Sequence, residues 1–250
     1  MREGALDNAT GTDRKVISVV TATFNAMEHL PALIESLRQQ TNKNFQWVVA
    51  DGASADGTLE LLRSISDLDV TVLSAPDFGI YDALNKGVKA ASGEYYVVAG
   101  ADDVFYPNAI ADFSAALATG PDMVAACISA GGEVVRPGRG PSWLCGQAAF
   151  IAGHATGTLI KRSLHTRFGY YSRKFPITAD QLFIKKCCQA DINLVQINTV
   201  VGEYGLDGVS GVDVVGTLSE FFRVQLLTEK NKFLQVLIYV CRLVRHFSKL

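Results

Sequence analysis

The chain has 250 residues, 48% of them hydrophobic and 19% charged, with a formal net charge of -2. That is enough apolar material for one large domain, or one domain with a small appendage. With no excess of Lys and Arg to neutralise a phosphate backbone, a general nucleic-acid binder is excluded. Residues 1–15 are polar, lack the apolar centre of a secretory signal, and read as a flexible lead-in. The five cysteines (Cys127, Cys145, Cys187, Cys188 and Cys241) are odd in number and form no Cys-x-x-Cys pair. They suggest neither a disulfide framework nor a zinc site, and a reducing compartment fits.

Apolar strand-like runs begin near Val16, Phe45, Val70 and Tyr95, separated by stretches with helical spacing. In the first connection Leu30, Leu33, Ile34 and Leu37 share a face, and Pro31 suits the first turn of a helix. The second puts Leu59, Leu62 and Ile65 on one face after Asp56-Gly57-Thr58, and the third does so with Ile80, Leu84 and Val88. Strands alternating with helices predict an α/β fold with a mainly parallel central sheet flanked by helices. Ligands of such sheets sit outside the carboxyl ends of the strands.

Several polar groups fall at those ends. The first strand finishes in Thr23-Phe24-Asn25, the second in Asp51-Gly52-Ala53-Ser54, and the fourth leads into Gly100-Ala101-Asp102-Asp103. Paired carboxylates emerging from a sheet need a cation, and a hard divalent metal completed by substrate phosphates is a common solution. Asp51-Gly52 alone is ordinary turn chemistry; at this depth its carboxylate can also accept a hydrogen from a base or a ribose.

Thr21 to Ala26, Asp51 to Thr58, Gly79 to Gly87 and the Asp102-Asp103 pair, in that order, resemble the family 2 inverting glycosyltransferases with the Rossmann-like GT-A fold. The block from Gly79 to Gly87 is similar to that of bacterial transferases building exopolysaccharide, colanic acid or O-antigen. The resemblance implies that Thr23, Asn25, Asp51, Asp77, Lys86 and Asp102 line the donor site. It implies that Asp103 coordinates Mg²⁺ or Mn²⁺ bridging a nucleoside diphosphate. Ala101 stands where many relatives carry serine. For Lys86 a solvated helix charge is the competing reading.

The second half then supplies the acceptor site. Asp180, in Pro176-Ile177-Thr178-Ala179-Asp180-Gln181, is similar to the family's catalytic base; a helix cap is the rival reading. His154 and Ser210, the latter within Asp207-Gly208-Val209-Ser210-Gly211, match positions that meet acceptor or phosphate, against a structural histidine and a plain turn. Residues 16–217 are expected to form the catalytic domain, 16–106 as the nucleotide-sugar half and 107–217 as the acceptor half.

Residues 218–250 read as a basic amphipathic helical segment, with Gln235, Arg242 and Arg245 on one side and Phe233, Leu237, Val240 and Val244 on another. Its apolar run is too short to span a bilayer. It fits either a membrane interface or packing against protein. The resulting expectation is an inverting transfer from a nucleoside-diphosphate sugar, a UDP-sugar in the first instance, to a polyprenyl-linked or saccharide acceptor at the cytoplasmic face of the membrane. The competing classes are a sugar nucleotidyltransferase and a nucleotide-binding module without turnover.

Overall fold

The computed structural model describes residues 15–205 and 213–246. The four apolar runs form β1 (Ile17–Thr23), β2 (Phe45–Asp51), β3 (Val70–Ser74) and β4 (Tyr95–Val98), joined by α1 (Leu30–Arg38), α2 (Thr58–Arg63) and α3 (Ile80–Ala90). The remainder comprises β5 (Val104–Phe105), α4 (Ala109–Ala116), β6 (Met123–Ala130), β7 (Glu133–Val135), α5 (Ser142–Cys145), β8 (Thr158–Lys161), α6 (Leu164–Phe168), α7 (Ala179–Gln189), β9 (Leu194–Glu203), α8 (Val214–Thr228) and α9 (Lys232–Arg245).

The described strands make one sheet ordered β3-β2-β1-β4-β8-β6-β9-β5, with β7 on β6. β1 pairs in parallel with β2 and β4, and β2 with β3, in the expected βα repeat. β8 runs against both β4 and β6, whereas β6 and β9 are parallel. The direction set by β1 to β4 is therefore resumed by β6 and β9, while β5, β7 and β8 oppose it. The runs of β1, β2 and β4 are buried on both faces, as covered parallel strands require, whereas β3 at the edge of the sheet is only half-buried. Leu30, Leu33, Leu37, Ile110 and Phe113 pack with Trp47 and Val97 on one side, and Leu84, Val88, Leu164, Leu182 and Phe183 with Val48 and Tyr96 on the other.

Two expectations change. Of the apolar face proposed for α3, Leu84 and Val88 are buried, but Ile80 is 46% exposed and lines a cleft. The C-terminal segment is two helices rather than one. It breaks after Thr228, and Asn231 Oδ1 caps α9 by accepting from the Leu234 N–H at 3.0 Å. The expected boundary at 217/218 falls inside α8, whose Val224 is buried against α7 and its neighbours.

α9 docks partly through polar residues: Gln235 is buried and donates to the Trp143 carbonyl at 3.0 Å, and Arg242 donates to the Leu144 carbonyl. Phe233, Leu237, Val240 and Val244, spaced along one face, are exposed.

Candidate active site

The ends of β1 to β3 build the first part of the site. Asp51, the last residue of β2, is buried and accepts from Thr23 Oγ1 at 3.0 Å, the Ser54 N–H at 3.0 Å, Ser54 Oγ at 2.5 Å and Ser74 Oγ at 3.0 Å. Burial pushes its pKa up, but these hydrogen bonds outweigh it and hold the carboxyl below its usual value. Asn25 follows β1 in the left-handed region, φ 49°, which asparagine tolerates. Its Oδ1 accepts from the Ala55 N–H at 3.0 Å and its own N–H donates to Ser54 Oγ, so the β1 and β2 loops are tied together.

Asp77 stands just before α3 and closes its first turn by accepting from the Gly79 N–H at 2.9 Å. Its other oxygen lies over Gly52, 2.7 Å from where a Cβ there would project, so only glycine permits that approach. Lys86 donates to the Pro76 carbonyl at 2.9 Å and lies 3.4 Å from Asp82, and so braces the same loop. Phe24 and Phe78 flank this region with 67% and 81% exposure, and Arg173, ion-paired with Asp82, covers Phe78.

The acid pair divides its work. The Asp103 side chain is 1% exposed. It accepts from the Gly100 N–H at 2.6 Å, the Gly205 N–H at 3.0 Å and the Thr156 hydroxyl, and so joins three loops. It is Asp102 that lines the cleft. Its carboxylate makes no hydrogen bond with another described residue and packs over Gly205, 1.9 Å from the position a Cβ would take. Adjacent residues in a turn point to opposite sides; here one turns inward as a brace and the other outward.

The cleft, of about 320 Å³, joins Asp102 to His154, Tyr81 and Asp180. Asp180 lies in the first turn of α7, and the Tyr81 hydroxyl is 2.6 Å from its Oδ1 and 2.9 Å from the Ile177 carbonyl. Burial raises the Asp180 pKa above the normal carboxylate value, with the Tyr81 hydrogen bond opposing, and burial also pushes the Tyr81 phenol well up. The turn that leads into α7 is held by Glu220 of α8, whose Oε2 accepts from the Ile177 N–H, the Thr178 N–H and Thr178 Oγ1 at 3.0, 2.9 and 3.0 Å. Farther along α7, fully buried Lys185 pairs with Glu229 at 2.6 Å and donates to Gln225.

His154 stacks on Tyr204 with ring centroids 4.6 Å apart, and its Nδ1 is 3.0 Å from Thr156 Oγ1. The Thr156 hydroxyl donates to Asp103, and the Thr156 backbone N–H also donates to Nδ1 at 3.5 Å, so Nδ1 is engaged by this one residue. That leaves Nε2 as the ring nitrogen available to the cleft. Gln147 and Gln181 also line the cleft, and the Oε1 of each is buried without a partner. Such orphaned acceptors call for a donor, and sugar hydroxyls are donors.

The structure thus groups Thr23, Asn25, Asp51, Asp77 and Lys86 at one end of the sheet edge, and Asp102, His154 and Asp180 in the adjoining cleft. Ser210 lies outside the described residues. Tyr81, Gln147, Gln181 and Tyr204 were given no role by sequence reasoning. For Tyr81 a signal existed, since it stands one turn before Leu84 on α3 at the mouth of the site; the two glutamines and Tyr204 carry none. Among the described residues no group of three acidic, histidine or cysteine side chains could hold a metal unaided.

The profile of the family described as "Glycosyl transferase family 2" matches residues 18–188. The chain belongs to that family. A "PGL/p-HBAD biosynthesis glycosyltransferase" of Mycobacterium bovis is 34% identical over 94 residues, 36% of this chain and 37% of that protein. The chain thus spans little more than a third of that relative's length. An "uncharacterized glycosyltransferase" of Mycobacterium tuberculosis is 27% identical over 223 residues, 79% of this chain and 78% of the relative.

Among solved structures, Staphylococcus aureus TarS 1–349 in complex with UDP-GlcNAc superposes with a TM-score of 0.67 at 19% identity, covering 93% of this chain and 72% of that one. The mannosyltransferase PcManGT from Pyrobaculum calidifontis, in complex with GDP-Man and Mn²⁺, gives 0.68 at 17% identity, covering 94% and 76%. These likenesses confirm the fold.

Proposed function

We propose that the protein is an inverting glycosyltransferase that moves a sugar from a nucleoside diphosphate, a UDP-sugar in the first instance, to an acceptor hydroxyl. The observation that carries this reading is Asp180, a carboxyl of raised pKa held by Tyr81 across one cleft from the unpartnered Asp102. The acceptor hydroxyl gives its proton to Asp180 as its oxygen attacks the anomeric carbon. The bond from that carbon to the diphosphate breaks, and the leaving group carries away the electron pair. Gln147 and Gln181 Oε1 accept from sugar hydroxyls and hold the reacting ring. Asp51 keeps the β1 and β2 loops in shape under the nucleoside, and Phe24 and Phe78 offer it apolar faces.

The donor set fits a hard divalent cation only in part. Asp102 is a free carboxylate with room made by Gly100 and Gly205, and Mg²⁺ or Mn²⁺ usually takes one or two such carboxylates with the remaining oxygens from phosphate and water. Asp102 would hold the ion, which when bound supplies charge to stabilise the leaving diphosphate. The finding of Mn²⁺ and GDP-Man in one neighbour and UDP-GlcNAc in another supports a metal and a nucleotide sugar here.

No described helix is long and apolar enough to cross a membrane. The exposed stripe on α9 supports work at a membrane surface, on a lipid-linked acceptor in cell-surface polysaccharide assembly. The decisive experiment is Asp180→Asn: turnover should fall by about a thousandfold or more while nucleotide affinity holds. Unchanged turnover would remove the base assignment.

A further inference from the structure

A second cavity lies between α5 and α9, outside the catalytic cleft. It is an open groove of about 760 Å³ whose floor is apolar, with Leu144, Ala148, Leu237 and Ile238 among its lining. Its only charged lining residues are Arg139, Arg242 and Arg245, and no acidic side chain among the described residues faces them across it. Arg242 is committed, since it donates to the Leu144 carbonyl and lies 4.0 Å over the Phe221 ring. Arg139 and Arg245 are exposed, and neither forms an ion pair with a described residue.

The groove is continuous with two features already described. Leu237 belongs both to its lining and to the outward stripe of Phe233, Leu237, Val240 and Val244 on α9. At the other side, Arg139 comes up beside Gly153, its Nη2 3.7 Å from where a Cβ there would project, and Gly153 lines the catalytic cleft beside His154. Arg139 therefore stands between an apolar trough and the place where a sugar hydroxyl would be deprotonated.

We propose that this groove binds the acceptor lipid, taking a single long apolar chain along Leu144, Ala148 and Leu237 and its phosphate on Arg139 and Arg245. The inference rests on the transferase reading and narrows its acceptor to an anionic amphiphile. Apolar floor and unpaired guanidinium groups match the two parts of such a molecule, and no other charge in the groove opposes an anion. A neutral soluble saccharide would leave both arginines and the trough unused.

The test is a calorimetric titration of the full chain with farnesyl phosphate below its micelle concentration. Farnesol, inorganic phosphate and phosphatidylglycerol vesicles serve as separate arms, and UDP with Mn²⁺ is titrated in parallel. Saturable binding of farnesyl phosphate, far tighter than either farnesol or phosphate, is expected. Arg139→Glu with Arg245→Glu should weaken it by about tenfold or more for each lost guanidinium contact. Leu237→Gln, at a half-exposed position, should weaken it without lowering Tm. UDP affinity should be the same in all variants, and absence of UDP binding by the parent protein would count against the transferase reading and not against the groove. Equal binding of farnesyl phosphate by wild type and the double variant would overturn the proposal. So would binding to vesicles alone, which would make the face a membrane-surface contact.

Discussion

The Tyr81 hydroxyl lies 2.6 Å from Asp180 Oδ1, and it is the only described side chain that hydrogen-bonds to that carboxyl. The phenol favours the ionised carboxylate, while burial disfavours it. A base must be ionised, so activity should fall as pH drops through the raised Asp180 pKa. Tyr81→Phe removes the opposing hydrogen bond and should move this acid limb to higher pH, with kcat reduced by about tenfold at neutral pH. A kcat profile against pH for both proteins checks this; an unmoved limb would separate Asp180 from the titration.

The two members of the acid pair should fail differently. Asp102→Asn should leave Tm near that of the parent and abolish the metal-dependent part of nucleoside-diphosphate affinity. Asp103→Ala strands two backbone N–H groups and the Thr156 hydroxyl, and should cost about 3 kcal/mol of stability. Denaturant unfolding alongside a UDP titration with and without Mn²⁺ distinguishes them, and EDTA should act on the parent as Asp102→Asn does. The opposite pattern would return the metal to Asp103.

His165 gives stability a pH dependence of its own. It is 3% exposed, 2.7 Å from Tyr96 Oη through Nε2 and 3.1 Å from the Gly169 carbonyl through Nδ1, and burial lowers its pKa to about 4. The unfolded chain takes up this proton below about pH 6.5 and the folded chain only near 4, so acidification favours unfolding across that window. The loss should reach about 3 kcal/mol between those limits and contribute nothing above them. Urea unfolding at a series of pH values should show that slope, and His165→Gln should flatten it.

Glu220 ties the turn before Asp180 to the C-terminal helices. With Ile177 and Thr178 left uncapped, Glu220→Ala should destabilise the protein by about 2 kcal/mol and loosen the turn that carries Asp180. Kcat should fall while nucleotide affinity is kept, and Glu220→Gln should restore part of it. Steady-state kinetics with a parallel Tm measurement reads both effects.

Much of the architecture was legible because parallel strands buried on both faces leave uninterrupted apolar runs, and β1 to β4 begin within a residue of where those runs do. The convergence of Thr23, Asn25 and Asp51 followed from the same rule. What sequence spacing could not convey was direction. Asp102 and Asp103 are neighbours in one turn, and Gly205 and Thr156, distant along the chain, join Gly100 in holding Asp103 inward. Amphipathicity in α9 was visible, but its inward face depends on carbonyls of Trp143 and Leu144 far upstream. Ile80 kept helical spacing and still faces the cleft, because a site needs apolar walls as much as a core does.

The inward turn of Asp103 has a consequence for the birth of the molecule. Its three donors come from Gly100, Thr156 and Gly205, the last 102 residues further along the chain. Contacts of such separation are slow to form, and a chain emerging from the ribosome cannot make this one until β9 has been synthesised. The edge formed by β1 to β3 can take shape from local pairings long before. The two parts of the site are thus separated in time during synthesis, and the Asp103 brace waits until the last strand is in place.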